Sequence, residues 1–459
     1  MGFRDELKRF KVSESRVKHC SRQRGEKSEM FSNKVTTEER SLHQTFVVTT
    51  HTERRRGRRR SFSDVRIAVK ESTWCCWISI SGRAQAGRMC WSSALILVLV
   101  LLDPLSMGRS SRQTPYGCRC VNPALCQPLG PDVRASVQVV AIDFGGKDWK
   151  HYDWAKVTTI VLTRDVDPEL VCYAHAKDIR VVTNVQLSMH DLRDHTARKN
   201  WIRNKIYLTT TNFLDGINVN LFTQFAKESE SYYELNQLIE DLVETLHGKV
   251  PGSQVSVTLP WSPDCTDGQC CDYLNISRTC DFVFVRSYNI PQDMRYGCIA
   301  HPPAPYHQVL SGLSAFIRLG IDSRKLVMGV PWYGYDYTCQ HFVEAGNCEL
   351  VNVSVDEIAC SYLPATRLHY KDIMNLLPRS ITGRIWDDIH KTPYFMYMNG
   401  SQYHEVWYDD PESISMRATF LKKLKLGGIG VWTVNSLNYS GDARTWIQTE
   451  EMWNALCPP

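Results

Sequence analysis

Short apolar runs rich in β-branched residues alternate with amphipathic stretches from residue 137 onward. These runs predict eight strands, at residues 137–145, 158–163, 179–185, 215–221, 253–261, 281–288, 325–334 and 427–434. Between the fourth and fifth runs, residues 232–248 repeat apolar side chains at the i, i+3, i+4 spacing of a helix. Strands that alternate with helices indicate a parallel sheet.

Eight such units predict an α/β fold of the TIM (β/α)8 barrel type. A doubly wound open sheet is the alternative, but no glycine-rich phosphate-binding turn follows the first strand. The longest interruption, about residues 335–410, separates the seventh and eighth strands and is rich in Tyr, Asn and Cys. We expect it to be an insertion held by disulfides.

The amino-terminal quarter of the chain differs in charge from the rest. Residues 1–108 hold 21 of the 54 Lys and Arg but only 11 of the 49 acidic residues, so 33 basic and 38 acidic residues follow. Residues 94–102 form an unbroken apolar run. This run is too short to span a membrane but has the length of the hydrophobic core of a signal peptide. We therefore predict a basic extension or gene-model artefact at 1–88, a signal peptide at 89–108 and one domain at 109–459.

The basic run at 51–60 is compatible with nucleic-acid binding, but nothing after it supports such a partner. The alternative for the amino-terminal region is a disordered basic tail followed by a signal anchor. Our prediction leaves no stable membrane span after signal cleavage.

Seventeen cysteines, thirteen of them after residue 108, indicate an oxidising compartment. Their spacing does not fit a zinc site, so disulfides are favoured, with Cys172 or Cys457 as candidates for a free thiol. Four N-x-S sequons fit the secretory route. They are Asn275, Asn352, Asn399 and Asn438.

In a TIM barrel the reactive groups stand at the carboxyl ends of the strands. Here those ends carry mostly aromatic rings and amides, which can stack on sugar faces and bond sugar hydroxyl and acetamido groups. The alternative is that the tryptophans only pack the barrel. The residues at these ends are Asp143, Thr163, Asn218 to Phe222, Trp261, Tyr288, Asn289, Trp332, Tyr333 and Trp432.

The string DGINVNLF, residues 215–222, resembles the D-x-x-D-x-D-x-E signature of glycoside hydrolase family 18, the chitinase family. Longer strings resemble its di-N-acetylchitobiase branch, and the resemblance covers about residues 116–457. These strings are 118–128, 148–154, 325–339, 406–414 and 427–443. The resemblance implies removal of reducing-end N-acetylglucosamine from chitooligosaccharide cores of glycoproteins, in lysosomes.

The resemblance also shows where this chain departs from the family. The substrate's acetamido oxygen is the nucleophile in this family, so the protein supplies a proton donor and a stabilising carboxylate. Phe222 occupies the motif position of the proton donor, and Asn220 occupies that of the stabilising carboxylate. Asp215 is the one carboxylate of the motif that remains. Where the family carries M-x-Y-D on the sixth strand, residues 286–289 read RSYN, so Tyr288 is kept and Asn289 replaces Asp.

Asp215, Asn220 and Phe222 are thus the motif positions of the catalytic strand. We expect four further residues to contact the sugar, namely Tyr288, Asn289, Trp332 and Trp432. We expect no metal and no cofactor.

Three functions remain open from the sequence. The first is a chitobiase-like barrel that binds chitooligosaccharide or N-glycan core fragments and is catalytically impaired. The second is an active glycosidase with an unrecognised acid or a misread catalytic strand, and the third is a scaffold that binds no sugar. We expect a monomer in the lysosome or, alternatively, in the extracellular space, with no nucleic-acid partner.

Overall fold

The computed structural model describes residues 117–133, 135–221, 227–265, 270–291, 298–342, 346, 348–350 and 365–457. It also describes one short antiparallel strand pair, Val48–Thr49 with Arg66–Ile67, in a separate unit that spans Gln23–Gln113. Apart from this pair, the expected extension at 1–88 and the expected signal peptide at 89–108 lie outside the described residues.

The strands of the main unit, in chain order, are β1 Gln138–Asp143, β2 Thr159–Leu162, β3 Arg180–Leu187, β4 Gly216–Leu221, β5 Gln254–Leu259, β6 Phe282–Val285, β7 Leu326–Pro331, β8 Tyr333–Thr338, β9 His341–Phe342, β10 Cys348–Glu349, β11 Thr366–His369, β12 Ile385–Asp387, β13 Thr392–Asn399, β14 Gln402–Tyr408 and β15 Gly428–Trp432. β1 to β7 and β15 are parallel and close into a barrel in the order β15-β1-β2-β3-β4-β5-β6-β7. Each predicted run overlaps one barrel strand, although β3 extends two residues past the run at 179–185, and this confirms the TIM barrel.

The helices are α1 Pro168–His175, α2 Met189–Leu192, α3 His195–Thr211, α4 Glu230–Lys249, α5 Tyr273–Thr279, α6 Tyr306–Arg318, α7 Tyr370–Leu376, α8 Pro411–Lys423 and α9 Ala443–Asn454. Aspartates accept a hydrogen bond from a backbone N–H in the first turn of α1, α3, α8 and α9, which stabilises their amino termini. The apolar stripe of α4 is buried, as its spacing predicts.

An aromatic ring and two glycines fill part of the barrel interior. The ring of Phe284 on β6 lies so close to Gly329 and Gly430 that a Cβ would stand 2.9 Å and 2.6 Å from its ring carbons. A Cβ at Gly329 would also meet the ring of Tyr288 at 2.8 Å. The absence of a side chain at these glycines therefore leaves room for the rings of Phe284 and Tyr288.

The insertion after β7 forms a five-stranded antiparallel sheet in the order β11-β8-β14-β13-β12. A disulfide joins Cys339, just after β8, to Cys348 on β10. This confirms the expected disulfide-bearing insertion between the seventh and eighth barrel strands. β8 starts two residues after β7 ends, so the insertion is anchored directly to a barrel strand.

The amino-terminal segment, residues 117–133, contains one disulfide and is joined to α1 by another. Cys118 pairs with Cys126, and Cys120 pairs with Cys172 on α1, so the prediction that Cys172 is a free-thiol candidate is wrong. Among the described residues, the cysteines without a disulfide instead include Cys271 and Cys280, and both are buried. Burial raises the pKa of the Cys271 thiol to about 12, so that thiol is unreactive at neutral pH.

Disulfides in this number are typical of a chain that folds along a secretory route. Within the described part of the chain, no helix combines the length and the apolar character that crossing a membrane requires.

Candidate functional site

The alternation of β4 places its two asparagines on the inner face of the barrel. Asn218, the deeper one, is held by three neighbouring side chains. Its Nδ2 donates to Asn184 Oδ1 at 2.9 Å and to Thr258 Oγ1 at 3.0 Å, and Ser256 Oγ donates to its Oδ1 at 2.8 Å. The amide of Asn218 thus binds β3, β4 and β5 together and has little capacity left for a ligand.

Asn220 lies one alternation nearer the carboxyl end of β4, in register with Gln186 on β3 and Thr258 on β5. It is only 3% exposed, yet its Oδ1 has no hydrogen-bond partner among the described residues. A buried carbonyl oxygen without a donor costs about 1–3 kcal/mol. This oxygen is therefore suited to accept a hydrogen bond from a hydroxyl or amide group of a ligand.

Three aromatic rings line the cleft beside these amides. Tyr288 lies against Trp432 with ring centroids 6.0 Å apart and planes inclined by 32°, and Phe144 meets Trp432 edge to face at 5.2 Å. Tyr288 is 4% exposed and its hydroxyl has no partner among the described residues. Trp432 is half-buried, so part of its ring remains open for stacking. The structure therefore brings Tyr288 and Trp432 into contact, while Asn220 faces the barrel interior near the carboxyl end of β4.

Asn289, at the position where the family carries Asp, adopts a left-handed backbone with φ of 55°. Asparagine tolerates this conformation better than most residues. Its Oδ1 accepts hydrogen bonds from the hydroxyls of Tyr333 and Tyr335, the latter at 2.6 Å. A neutral amide thus links the end of β6 to two tyrosines of the insertion.

Positive charge lies next to this aromatic group. The guanidinium carbon of Arg367, on β11, stands 4.6 Å from the ring centroid of Tyr333. Burial raises the pKa of Tyr288, and the positive charges of Arg286 and Arg367 partly oppose that rise.

Asp215 lies at the opposite end of the barrel, because it precedes the first residue of β4. It is fully buried, and its Oδ1 accepts from Leu129 N–H at 2.6 Å. Its Oδ2 accepts from Val181 N–H at 2.6 Å and faces His175 Nε2 at 2.9 Å. Asp215 is therefore not brought together with Asn220 and cannot take part in chemistry at the cleft. Its contacts show a structural role.

Gly216 follows Asp215 for a steric reason. A Cβ at this position would stand 1.9 Å from the carbonyl oxygen of Gln254. The Asp-Gly pair therefore starts β4 by combining a buried anchor with a close approach to β5.

Trp332 is completely buried and packs edge to face on Trp453 of α9, with centroids 5.0 Å apart. Its ring presents no surface for a sugar, so the structure separates it from the other expected sugar contacts. The sequence placed it at a strand end correctly, but the direction of its side chain could not be read from that position.

The structure describes three of the four sequon asparagines but not the motif residue Phe222. Phe222 and Asn352 lie outside the described residues. Asn399 is exposed beside the turn at Gly400, while Asn438 is half-buried. Asn275 is also half-buried, and its Nδ2 donates to Glu240 Oε1 at 2.9 Å.

Sequence reasoning missed Arg367, Phe144 and Tyr335 as cleft residues. The alternating tyrosines of β8 gave a partial signal, because residues 333, 335 and 337 share one face of a strand. Arg367 gave none, since it reaches the cleft only through the pairing of β11 with β8, which brings Tyr335 opposite Arg367.

Comparison with known proteins agrees with this architecture. Residues 186–436 match the family described as Glycosyl hydrolases family 18. The chain is 41% identical to the di-N-acetylchitobiase of Homo sapiens over 344 residues, which cover 74% of this chain and 88% of that protein. It is 39% identical to the Mus musculus di-N-acetylchitobiase over 364 residues, or 79% and 97% of the two chains.

Solved chitinase structures share the fold at much lower identity. A class V chitinase mutant from Nicotiana tobaccum in complex with NAG4 superposes with a TM-score of 0.55 at 16% identity, covering 70% of this chain and 99% of that one. YKL-39, determined in the presence of chitooligosaccharides, gives a TM-score of 0.54 at 16% identity and the same coverage. Identities this low support the fold alone.

Proposed function

Because the chain belongs to glycoside hydrolase family 18 and is of the di-N-acetylchitobiase type, we propose that its cleft binds chitooligosaccharide or N-glycan core fragments and hydrolyses them slowly or not at all. The carrying observation is that Asn220 and Tyr288 each have a buried side-chain oxygen with no hydrogen-bond partner among the described residues, and that the Tyr288 ring lies against the half-buried ring of Trp432. N-acetylglucosamine offers hydroxyl and acetamido donors for these oxygens and an apolar face for the ring.

The proposal of impaired catalysis comes from residue types at the motif positions. A phenyl ring at Phe222 cannot donate a proton, and an amide at Asn220 cannot carry the stabilising negative charge. Loss of a general acid lowers the rate by roughly 10²–10⁴, and loss of an electrostatic stabiliser lowers it by roughly 10²–10³. These factors are not multiplied, because the residues act as a unit.

Calorimetric titration with chitotriose, together with a long incubation, tests this function. We expect saturable binding without release of N-acetylglucosamine, and about tenfold weaker binding in Trp432→Ala, because stacking on the ring is lost. Trp446→Ala is the matched control, since Trp446 is 56% exposed on α9. That control should keep the native affinity.

Two outcomes would contradict the proposal. Steady release of N-acetylglucosamine by the native chain would favour an active glycosidase. Absence of binding at millimolar chitotriose would favour a scaffold without a sugar ligand.

We also propose the route by which the protein matures. Cleavage after a signal peptide at 89–108 would leave one glycosylated domain, 109–459, directed to the lysosome or the extracellular space and monomeric. The disulfides and the exposed sequon at Asn399 support a secretory route. Amino-terminal sequencing of the purified protein tests the boundary, and a mature chain that begins before residue 89 would contradict it.

A further inference from the structure

The loop after β1 begins at Phe144 and continues through two glycines. Gly145 and Gly146 adopt left-handed backbones with φ of 89° and 101°, a region that glycine reaches far more easily than other residues. Two such residues in a row leave the chain many alternative conformations, so the loop needs contacts outside itself to hold one of them. The position of this loop decides where the Phe144 ring stands, and that ring meets Trp432 edge to face.

Asn435 supplies such contacts through both ends of its side-chain amide. Phe144 N–H donates to Asn435 Oδ1 at 2.8 Å, and Asn435 Nδ2 donates to the carbonyl of Gly145 at 2.9 Å. One amide therefore pairs with a donor and an acceptor on consecutive loop residues. Asn435 stands in the short turn Val434–Ser436, close after Trp432 at the end of β15. The segment that carries the indole ring thus also holds the loop that packs against it.

The turn that carries Asn435 is itself held by the insertion. Lys371 Nζ, on α7, donates to the backbone carbonyl of Asn435 at 3.1 Å. His369 Nδ1, at the end of β11, faces Ser436 Oγ at 2.9 Å. These contacts restrain the backbone of the turn, so the side chain of Asn435 meets the loop after β1 from a fixed position.

Asp143 also restrains this loop, but at a different point. It accepts from Gly145 N–H at 3.0 Å and from Tyr152 Oη at 3.1 Å. Of these two side chains, Asn435 is the one that bonds the backbone of Phe144. Asn435 is therefore the closer link between the loop and the aromatic pair of Phe144 and Trp432.

We propose that Asn435 is a positioning residue of the sugar-binding cleft, which holds the Phe144 ring against Trp432 and so fixes the indole plane on which a sugar face stacks. This inference rests on the proposed function and deepens it, because it names the group that orients the stacking ring. Asn435 acts without touching the ligand. An edge-to-face neighbour restricts the indole in the free protein, so less ordering remains when the sugar binds.

A double-mutant cycle with Trp432, measured by calorimetry with chitotriose, tests the inference. Asn435→Ala should weaken binding about fivefold, because the loop and the Phe144 ring are released. In the Trp432→Ala background the same change should alter the dissociation constant by less than about twofold, because the ring through which Asn435 acts is gone. A residue that bonded the ligand itself, or that only stabilised the fold, would add its effect in both backgrounds.

Near-ultraviolet circular dichroism gives a second readout that needs no ligand. The difference between the spectra of the native chain and Trp432→Ala isolates the signal of that indole. Asn435→Ala should lose most of this signal, because the ring becomes free to rotate.

Asn212→Ala is the matched control. Asn212 Nδ2 also donates to a backbone carbonyl, that of Leu208 at 2.8 Å, but Asn212 caps the carboxyl end of α3, just before β4 begins. This variant should change neither the chitotriose affinity nor the indole signal.

Phe144→Leu covers the case in which Asn435→Ala does not fold, as judged by its melting temperature. This variant leaves both backbone hydrogen bonds to Asn435 in place and removes the aromatic edge. It should therefore show a similar weakening of about fivefold and the same coupling to Trp432.

The outcomes separate this inference from the proposed function. Native chitotriose affinity in Asn435→Ala, or a weakening of equal size with and without Trp432, would overturn the inference while native binding still supported the function. Absence of chitotriose binding by the native chain would overturn both.

Discussion

Tyr288 holds its hydroxyl in a buried position where no described group bonds it, although its ring is well packed against Trp432 and Gly329. Such a group lowers folding stability, because water bonds it in the unfolded chain and nothing replaces that bond. Asn220 Oδ1 has the same property. We interpret both as binding atoms whose cost is recovered when a ligand is present.

Tyr288→Phe should therefore change stability and binding in opposite directions. Removal of the unbonded hydroxyl should raise the free energy of unfolding by about 1 kcal/mol, because its desolvation cost disappears. The same change should weaken chitotriose binding, because the ligand loses a partner. Denaturant titration and calorimetry measure the two effects.

The matched control for this pair of effects is Tyr333→Phe. The Tyr333 hydroxyl bonds Asn289, so its removal should lower stability rather than raise it. A Tyr288→Phe protein that is less stable than the native chain would show that the hydroxyl has a bonded role in the free protein.

At the scale of elements, the pair of His175 and Asp215 ties α1, β4 and the amino-terminal segment together. His175 Nδ1 faces the carbonyl of Leu125 at 2.8 Å, and its Nε2 faces Asp215. Both neighbours are acceptors, so the protonated ring satisfies both. Burial lowers the pKa of His175, but the hydrogen bond and charge of Asp215 outweigh it, and the pKa is raised above 6.5.

A raised histidine pKa makes this contact a source of stability in acid. Its contribution is fully present below pH 6.5 and is lost as the pH rises through the folded-state pKa. His175→Gln should therefore lower the free energy of unfolding more at pH 5 than at pH 9. Urea titrations of the native chain and the variant at both pH values measure the difference.

His247→Gln, at a half-exposed ring beside Asp281, reports the general effect of replacing a histidine. An equal loss of stability at pH 5 and pH 9 in His175→Gln would show that the ring is not charged in the native protein.

The strands and helices could largely be predicted from the sequence, but the contacts between distant segments could not. Short, nearly continuous apolar runs gave the barrel strands, because the interior and the helices together bury both faces of every strand. The pairing of Cys120 with Cys172 depends on the amino-terminal segment reaching α1, which no local pattern encodes. Asp215 was assigned to the catalytic row from its motif, but its position before β4 places it at the stabilising end.

At the scale of the whole molecule, the proposed binding groups and the stabilising groups occupy opposite ends of the barrel. The carboxyl ends of the strands carry Asn220, Tyr288 and Trp432, while the amino ends hold Asp215 and the amino-terminal segment. This division is expected for a TIM barrel. The sequence could predict that Asn220, Tyr288 and Trp432 lie at the carboxyl ends, because the ends of the strands can be identified from the apolar runs. It could not predict Arg367, which reaches the cleft through the sheet of the insertion.

We propose that the barrel remains competent for the family chemistry and lacks only its acids. Release of N-acetylglucosamine from chitobiose by the triple variant Asn220→Asp, Phe222→Glu, Asn289→Asp tests this most directly, beside the native chain and a double variant that keeps Phe222. We expect turnover in the triple variant at least about 100-fold above both controls, because only that variant regains a proton donor. Native turnover equal to that of the triple variant would show that the native barrel does not lack its acid.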